Sequence, residues 1–487
     1  MKNIFLLLTL LYLTISIASA QQALDRATQP AAEKKKPFRF PKSENFQLDN
    51  GLRVQFIRKK NVPMVEMTLV FNAGTTKESF AKAGVASLTN RMLPTGTKTK
   101  NYGAITGTIE KYGLGLSTFT NYEYSLLTMR SLSESFHHAV NILSDIAQRP
   151  AFDKEYFEAG KQSFRSNLEY NLRDVSQIAT ILFYTQIYGQ QHAYARTFSG
   201  TFQSLDSLTI EDVRYFHSAF YRPNNATLYV VGAIDPVGAM KIIHEEFDGW
   251  EKGNVPQVQQ ASIPVADSLR ILTLHDSAST RVQIRIGNLS IARSSPEFHA
   301  LLLFNRIIGG DVFSRLSKNL MIEKKVAANM RTAYGFHTDA GFFVATGTSE
   351  GKAVVSIVNA ALEEMTAMMK KSVSDAELLT AKRALKKSYA LEFETNTQLI
   401  QKLIEANVFS LHQNSFEEYE EQIDHITKED IKRAAQLSLN PDRATVILIG
   451  NAYEFADELM KKFPTQVRYI APCSGSLMRI CNIFIFT

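Results

Sequence analysis

Side chains spaced for chemistry are scarce in this chain, and most candidates fail one at a time. His244-Glu245-Glu246 opens like a metal-binding helix motif, but Asp248 stands where a second His would share the helix face. It reads as a solvated face. His137 and His138 are adjacent, so a helix would aim them in different directions. Gly309-Gly310 lacks the strand, glycine fingerprint and helix of a dinucleotide site and reads as a helix stop. No G-x-S-x-G elbow occurs, and the two cysteines, Cys473 and Cys481, lie near the C-terminal end. Serine or cysteine catalysis and a disulfide framework therefore have no support. One segment remains that is punctuated like a site: AGTTKESFAKAGVASLTNRMLPTGTKTKNY, Ala73 to Tyr102. A Gly-Thr turn leads into a helix-like run that stops at Pro94 and another Gly-Thr. Yet Gly84 to Met92 contains no His, Glu, Asp or Cys; Ser87, Asn90 and Arg91 stand where ligands or a base would be expected.

The elements that must position this segment follow from periodicity and punctuation. ENFQLDNGLRVQFIRKK places Asp49-Asn50-Gly51 between two alternating runs, which predicts a hairpin. MVEMTLVFNAG reads as a strand, 79–93 and 101–112 as helices, Leu114 to Leu132 as strand, and 134–148 and 153–189 as longer helical stretches. An internal repeat organises the whole. LTIEDVRYFHSAFYRPNNATLYVVG (208–232) and ITKEDIKRAAQLSLNPDRATVILIG (426–450) align without a gap, sharing Thr209/Thr427, Asp212/Asp430, Pro223/Pro441 and Gly232/Gly450. Just upstream, Asp153/Asp375 and Glu155/Glu377 open comparable helices. Each copy reads as a capped helix, a turn and a buried strand, so the chain is a duplication of one α+β unit. The join falls in the Pro- and Gln-rich stretch 251–268.

Composition narrows the function. At 487 residues, 45% hydrophobic and 21% charged, the chain has room for two folded domains. A net charge of +6 is spread along it, the only run of three lysines being Lys34-Lys35-Lys36, which argues against nucleic-acid binding. Lys2, the apolar run Ile4 to Ile17 and Ala18-Ser19-Ala20 describe a cleavable secretory signal. The expected location is outside the cytoplasm, in the periplasm, with no membrane span.

On its motifs the chain resembles the pitrilysin/insulinase family of zinc peptidases, especially the short two-domain type. Family members carry an inverted zinc motif, H-x-x-E-H, in a segment of the type G-L-A-H-L-L-E-H-M-L-F-K-G-T. Here that segment reads Gly84-Val85-Ala86-Ser87-Leu88-Thr89-Asn90-Arg91-Met92-Leu93-Pro94-Thr95-Gly96-Thr97. The run YGQQHAYARTFSGTFQSLDSLTIEDVRYFHSAFYRPNNATLYVVG and the segments IIGGDVFSRL and DAGFFVATGTS extend the resemblance over about 45–465. In the family two His ligands and a third, a downstream Glu, hold zinc, while a Glu within the motif acts as base on the bound water. The resemblance puts these ligands at Ser87, Arg91 and Asn167, and the base at Asn90; a supporting Glu falls on Gly160. Ser and Asn are poor donors for zinc and Arg91 is a fixed cation, so no metal cofactor is expected. The family's substrate-gripping Arg and Tyr fall on Met321 and Ala328, with Arg331 and Tyr334 as nearby partial replacements. The peptide-binding sheet edge of the family falls on GLGLSTFT, and the residues carried over are Gly115, Leu116, Ser117, Thr118 and Phe119.

The expected organisation is therefore a signal peptide at 1–20, a flexible arm at 21–44, a first peptidase-like domain at 45–255, a linker at 256–268, a second such domain at 269–466 and an atypical tail at 467–487. The fold class is α+β, with two homologous domains, each a largely antiparallel sheet packed by helices, making half of a clam-shell. The expected function is that of an exported, non-catalytic subunit. It would bind extended peptide or unfolded protein segments, paired as a heterodimer with a zinc-bearing paralogue or as a homodimer. Two readings stand beside it: an active zinc endopeptidase with unconventional or partner-supplied ligands, and a purely structural subunit.

Overall fold

A computed structural model describes residues 38–412 and 414–470; the expected signal peptide, most of the arm, both cysteines and nearly all of the tail lie outside these residues. Among the described residues twelve strands form two sheets of six. The first joins β1 (Ser43–Gln47), β2 (Arg53–Arg58), β3 (Met64–Phe71), β4 (Gly115–Thr120), β5 (Ser125–Leu132) and β6 (Ala226–Gly232) in the order β1-β2-β6-β3-β5-β4. The second joins β7 (Arg270–His275), β8 (Val282–Ser290), β9 (Ala327–Gly335), β10 (Gly341–Ser349), β11 (Thr445–Gly450) and β12 (Val467–Ile470) in the order β12-β7-β11-β8-β10-β9. Five strands correspond one to one, and the α+β duplication read from the sequence is the architecture of the chain. The sixth strand differs. In the first sheet β1 precedes β2 and pairs antiparallel to it, whereas in the second β12 comes from the end of the chain and pairs parallel to β7.

The repeat owes its sameness to two local devices. Thr209 and Thr427 each cap a helix, at Ile210–Phe220 and Lys428–Ser438, and each closes a capping box with the Asp three residues on. Each helix then leads through a Pro-initiated turn into the fully buried strand at the centre of its sheet, β6 or β11. Both strands are buried on two faces, so their apolar runs are continuous rather than alternating. β1 starts at Ser43, inside the stretch read as arm, and residues 251–269 form neither helix nor strand.

The helical stretch expected at 153–189 is two helices, Lys154–Asn171 and Val175–Tyr188. Asp174 breaks it by capping the second helix, its side chain accepting from Ser176 N. The break redirects the chain: Val175–Tyr188 packs on β8 and β11 of the second sheet, while Asn396–Val408 packs on β3 and β6 of the first. Each half thus lends a helix to the other's sheet. Ile178, Leu182 and Phe183 share one core with Leu274, Val344 and Ile447. Polar ties fix both exchanges. The Arg285 guanidinium donates to Ser176 O at 3.0 Å, and Thr397 donates to the buried Glu66 carboxylate at 2.8 Å. From Phe40 onward the described residues accordingly form one compact unit. No helix among the described residues is long and apolar enough to cross a membrane.

Candidate functional site

The helix Val85–Met92 carries Ser87, Asn90 and Arg91 and packs against β4, β5 and the Lys154–Asn171 helix. Its start is fixed by Gly84, at φ +93°, where a Cβ would lie 2.8 Å from the Ser199 carbonyl oxygen, so a side chain would both strain the backbone and clash. The buried Glu78 carboxylate accepts from Gly84 N at 3.1 Å and Ala86 N at 2.7 Å, setting negative charge at the helix N-terminus. Burial pushes the Glu78 carboxyl up to about 7, against the opposing pull of Arg196 and of those two N–H groups. The helix's exit is held by Asp145, which accepts from Thr97 and Thr99 hydroxyls at 2.7 Å each and from Lys100 and Arg149. Burial alone would raise the Asp145 carboxyl; these hydrogen bonds outweigh it and hold it at about 2. The Gly-Thr punctuation is thus an anchoring device.

Along the helix Asn90 and Arg91 have found other occupations, while the Ser87 hydroxyl has not. Asn90 is 1% exposed, and its Nδ2 donates to Phe119 O at 2.9 Å and Leu126 O at 3.2 Å. Those two residues face each other across β4 and β5, so the amide pins the edge strand to its neighbour. Arg91 is exposed and lies over the Phe164 ring, 5.8 Å from its centroid. Ser87 is half-buried, its hydroxyl inaccessible and without a partner. Asn167 is exposed on the neighbouring helix. At Gly160 a Cβ would meet Leu88 Cδ1 at 2.6 Å, so the two helices pack where the resemblance would put a glutamate.

This donor set does not suit zinc. A zinc site wants thiolate, imidazole or carboxylate ligands, and here it meets a hydroxyl, an amide whose NH₂ is committed to two carbonyls, and a guanidinium. Among the described residues no three His, Cys, Asp or Glu side chains could hold a metal together. The isolated motifs are equally occupied: His244 Nδ1 lies 2.9 Å from Asp248, and His138 stacks on Tyr112. Gly309 closes the Phe298–Ile308 helix.

In the second half, Met321 is half-buried in the Lys318–Glu323 turn. Ala328 is the extra residue of a bulge, since Thr348 pairs with Asn329 and Ser349 with Ala327. Arg331 and Tyr334 are three apart on β9 and so point to opposite faces; Arg331 is exposed while the Tyr334 hydroxyl is buried. They cannot grip one ligand together.

The two sheet edges have diverged. On β9, Thr332 N donates outward to Gly309 O and Met330 O accepts from Ser317 Oγ, so the 309–320 segment covers the edge. On β4, the Asn121 N to Tyr124 O bond fixes the alternation. Counting back from it, Gly115, Ser117 and Phe119 bond to β5, and Leu116 and Thr118 turn their N–H and C=O groups outward. No other described residue bonds to those outward groups. Glu78, Arg196 and Asp145 escaped the sequence reading. An acid just before a helix is a legible signal, but nothing in the sequence links it to Arg196.

Two homologous domains, each built on a six-stranded sheet, with the Val85–Met92 helix against an open edge strand, define a metallopeptidase-like scaffold. The chain belongs to the insulinase family, peptidase family M16: the family's profile matches residues 53–198, and that of the peptidase M16 inactive domain matches 207–385. It is 23% identical over 431 residues to the mitochondrial-processing peptidase subunit beta of Saccharomyces cerevisiae, covering 84% of this chain and 92% of that one. It is 20% identical to a zinc protease of Helicobacter pylori, over 84% of this chain and 93% of that protein. A crystal structure of a peptidase M16 inactive domain from Pseudomonas fluorescens superposes with a TM-score of 0.77 at 22% identity, covering 84% of this chain and 98% of that one. A Helicobacter pylori protease structure gives 0.76 at 18% identity, over 84% and 99%. These structures share the fold.

Proposed function

We propose that this chain is an exported, non-catalytic member of its family that holds extended peptide segments on the β4 edge, in partnership with a zinc-bearing relative or a second copy. The observation that carries the reading is Asn90. At the place of the catalytic base stands an amide whose two donors are spent on the carbonyls of β4 and β5. Ser87, Arg91 and Asn167 supply no ligand set around it, while the edge that would pair with a peptide stays open. The relatives named as zinc proteases support a peptidase ancestry, and the yeast relative, named as a subunit, supports pairing.

The test is elemental analysis and a mixed-peptide digest of the purified chain by itself. Absence of zinc and of cleavage is expected; stoichiometric zinc with chelator-sensitive cleavage would overturn the proposal. A second variant checks the alignment. Replacing Ser87→His, Asn90→Glu, Arg91→His and Asn167→Glu together should produce zinc uptake in a folded protein. Export is checked by sequencing the mature N-terminus from the periplasmic fraction, with Gln21 expected.

A further inference from the structure

We propose that the peptide this chain holds is acidic, its carboxylates being received by cations at both remnants of the ancestral site. The inference rests on the peptide-holding reading and names its ligand class. The first observation is a recess of about 470 Å³ at the start of β9, with Ala328 in its wall. Arg281, Lys325 and Lys352 converge on it, against the single acid Glu350. Among the described residues none of these three cations finds a partner for an ion pair or a side-chain hydrogen bond. Elsewhere in the same half, Arg293, Arg315 and Lys402 each reach a carboxylate within 3 Å.

Unpaired like charges around a concavity repel one another and raise a positive potential inside it. An anion entering the recess relieves the repulsion. The bulge contributes to the room, because its extra residue is alanine and brings only a methyl group. Lys325 is also one of three described non-glycine residues at positive φ, +55°; such strain is kept where the surroundings use it.

The second observation lies in the other half and is independent. Arg91 is exposed on the helix that borders the open β4 edge, and among the described residues it too has no ion-pair partner. Where the ancestral site would hold a dication facing a peptide carbonyl, this chain offers a guanidinium, which suits a carboxylate fork. The chemistry fits Asp and Glu side chains or a C-terminal carboxylate.

The experiment measures fluorescence anisotropy of the purified chain with labelled peptides of one length. One set carries Asp and Glu, a second carries Asn and Gln at the same places, a third carries Lys, and each is made with a free and an amidated C-terminus. The acidic set should bind about tenfold tighter than the neutral set at low salt, and the gap should shrink as salt rises. The triple variant Arg281→Gln, Lys325→Gln, Lys352→Gln and the single variant Arg91→Gln should each narrow the gap. All four residues are exposed, so folding is retained, which a thermal melt checks. If only the free C-terminus matters, the anion is the terminal carboxylate; if only the side chains matter, it is Asp and Glu. Equal binding of all three sets would overturn the acidic preference and leave peptide holding intact. Binding of none would overturn the peptide-holding reading itself, and this inference with it.

Discussion

At the residue scale, Asn90 decides what the helix can do. Its amide reaches two carbonyl oxygens, and a carboxylate in its place would face them with acceptors on both sides. Asn90→Glu is therefore expected to lower stability by about 2 kcal/mol, read from denaturant melts. A few buried titratable groups shape the pH response. Burial pushes His217, His299 and His337 down from 6.5 to about 4, with nearby positive or histidine groups adding to it. These bases are protonated less readily in the folded chain than in the unfolded one. Their contribution is complete above pH 6.5 and is lost as pH falls from there through about 4. Glu78 acts in the other direction. Its carboxyl is raised from 4.5 to about 7, so its contribution is complete below pH 4.5 and lost as pH rises through 7. A Tm series from pH 7.5 to 4 should fall overall, three groups outweighing one, and Glu78→Gln should raise Tm at pH 7.5 relative to pH 5.

At the element scale, the β4 ladder says which substitution tests the edge. Ser117 bonds to β5 through its pair with Thr128, so proline there would break the sheet. At Thr118 the N–H points outward, and proline at such an edge position is tolerated. Thr118→Pro should change stability by less than about 1 kcal/mol while abolishing peptide binding in anisotropy measurements; retained binding would show that the peptide is held elsewhere than on the β4 edge. The packing of Val85–Met92 on Lys154–Asn171 is equally specific. Leu88 is fully buried over Gly160 and has nowhere to swing. Gly160→Glu, which writes the family's residue back, should cost about 3 kcal/mol in denaturant melts through overpacking and a buried charge. On the proposed reading, loss of the zinc site and close packing of these two helices meet at one glycine.

At the scale of the whole molecule, the exchange of helices makes the halves mutually dependent. Residues 1–255 alone would leave β3 and β6 without the Asn396–Val408 helix, and would expose Ile178, Leu182 and Phe183, which the second sheet normally covers. That fragment should be insoluble or bind a hydrophobic dye, while the full chain melts in one transition. The duplication itself was legible in the sequence, because capping boxes at Thr209 and Thr427 and continuous apolar strands are local signals written in neighbouring residues. The absence of His, Glu, Asp and Cys from Gly84 to Met92 was legible for the same reason: residue type and spacing lie within one helix. What Ser87, Asn90 and Arg91 do instead was not legible. Asn90 finds its acceptors 29 and 36 residues away, Gly160 answers to Leu88, and Glu78 to Arg196. Nor could the sequence tell the two edges apart, since whether an edge strand is covered depends on a segment elsewhere in the chain. Sequence alone determined the repeated unit and most of its elements, which follow from short-range pattern. Only the tertiary structure decided which edge stays open, which cations are left unpaired and which half each helix serves, because those are contacts between segments far apart in the chain.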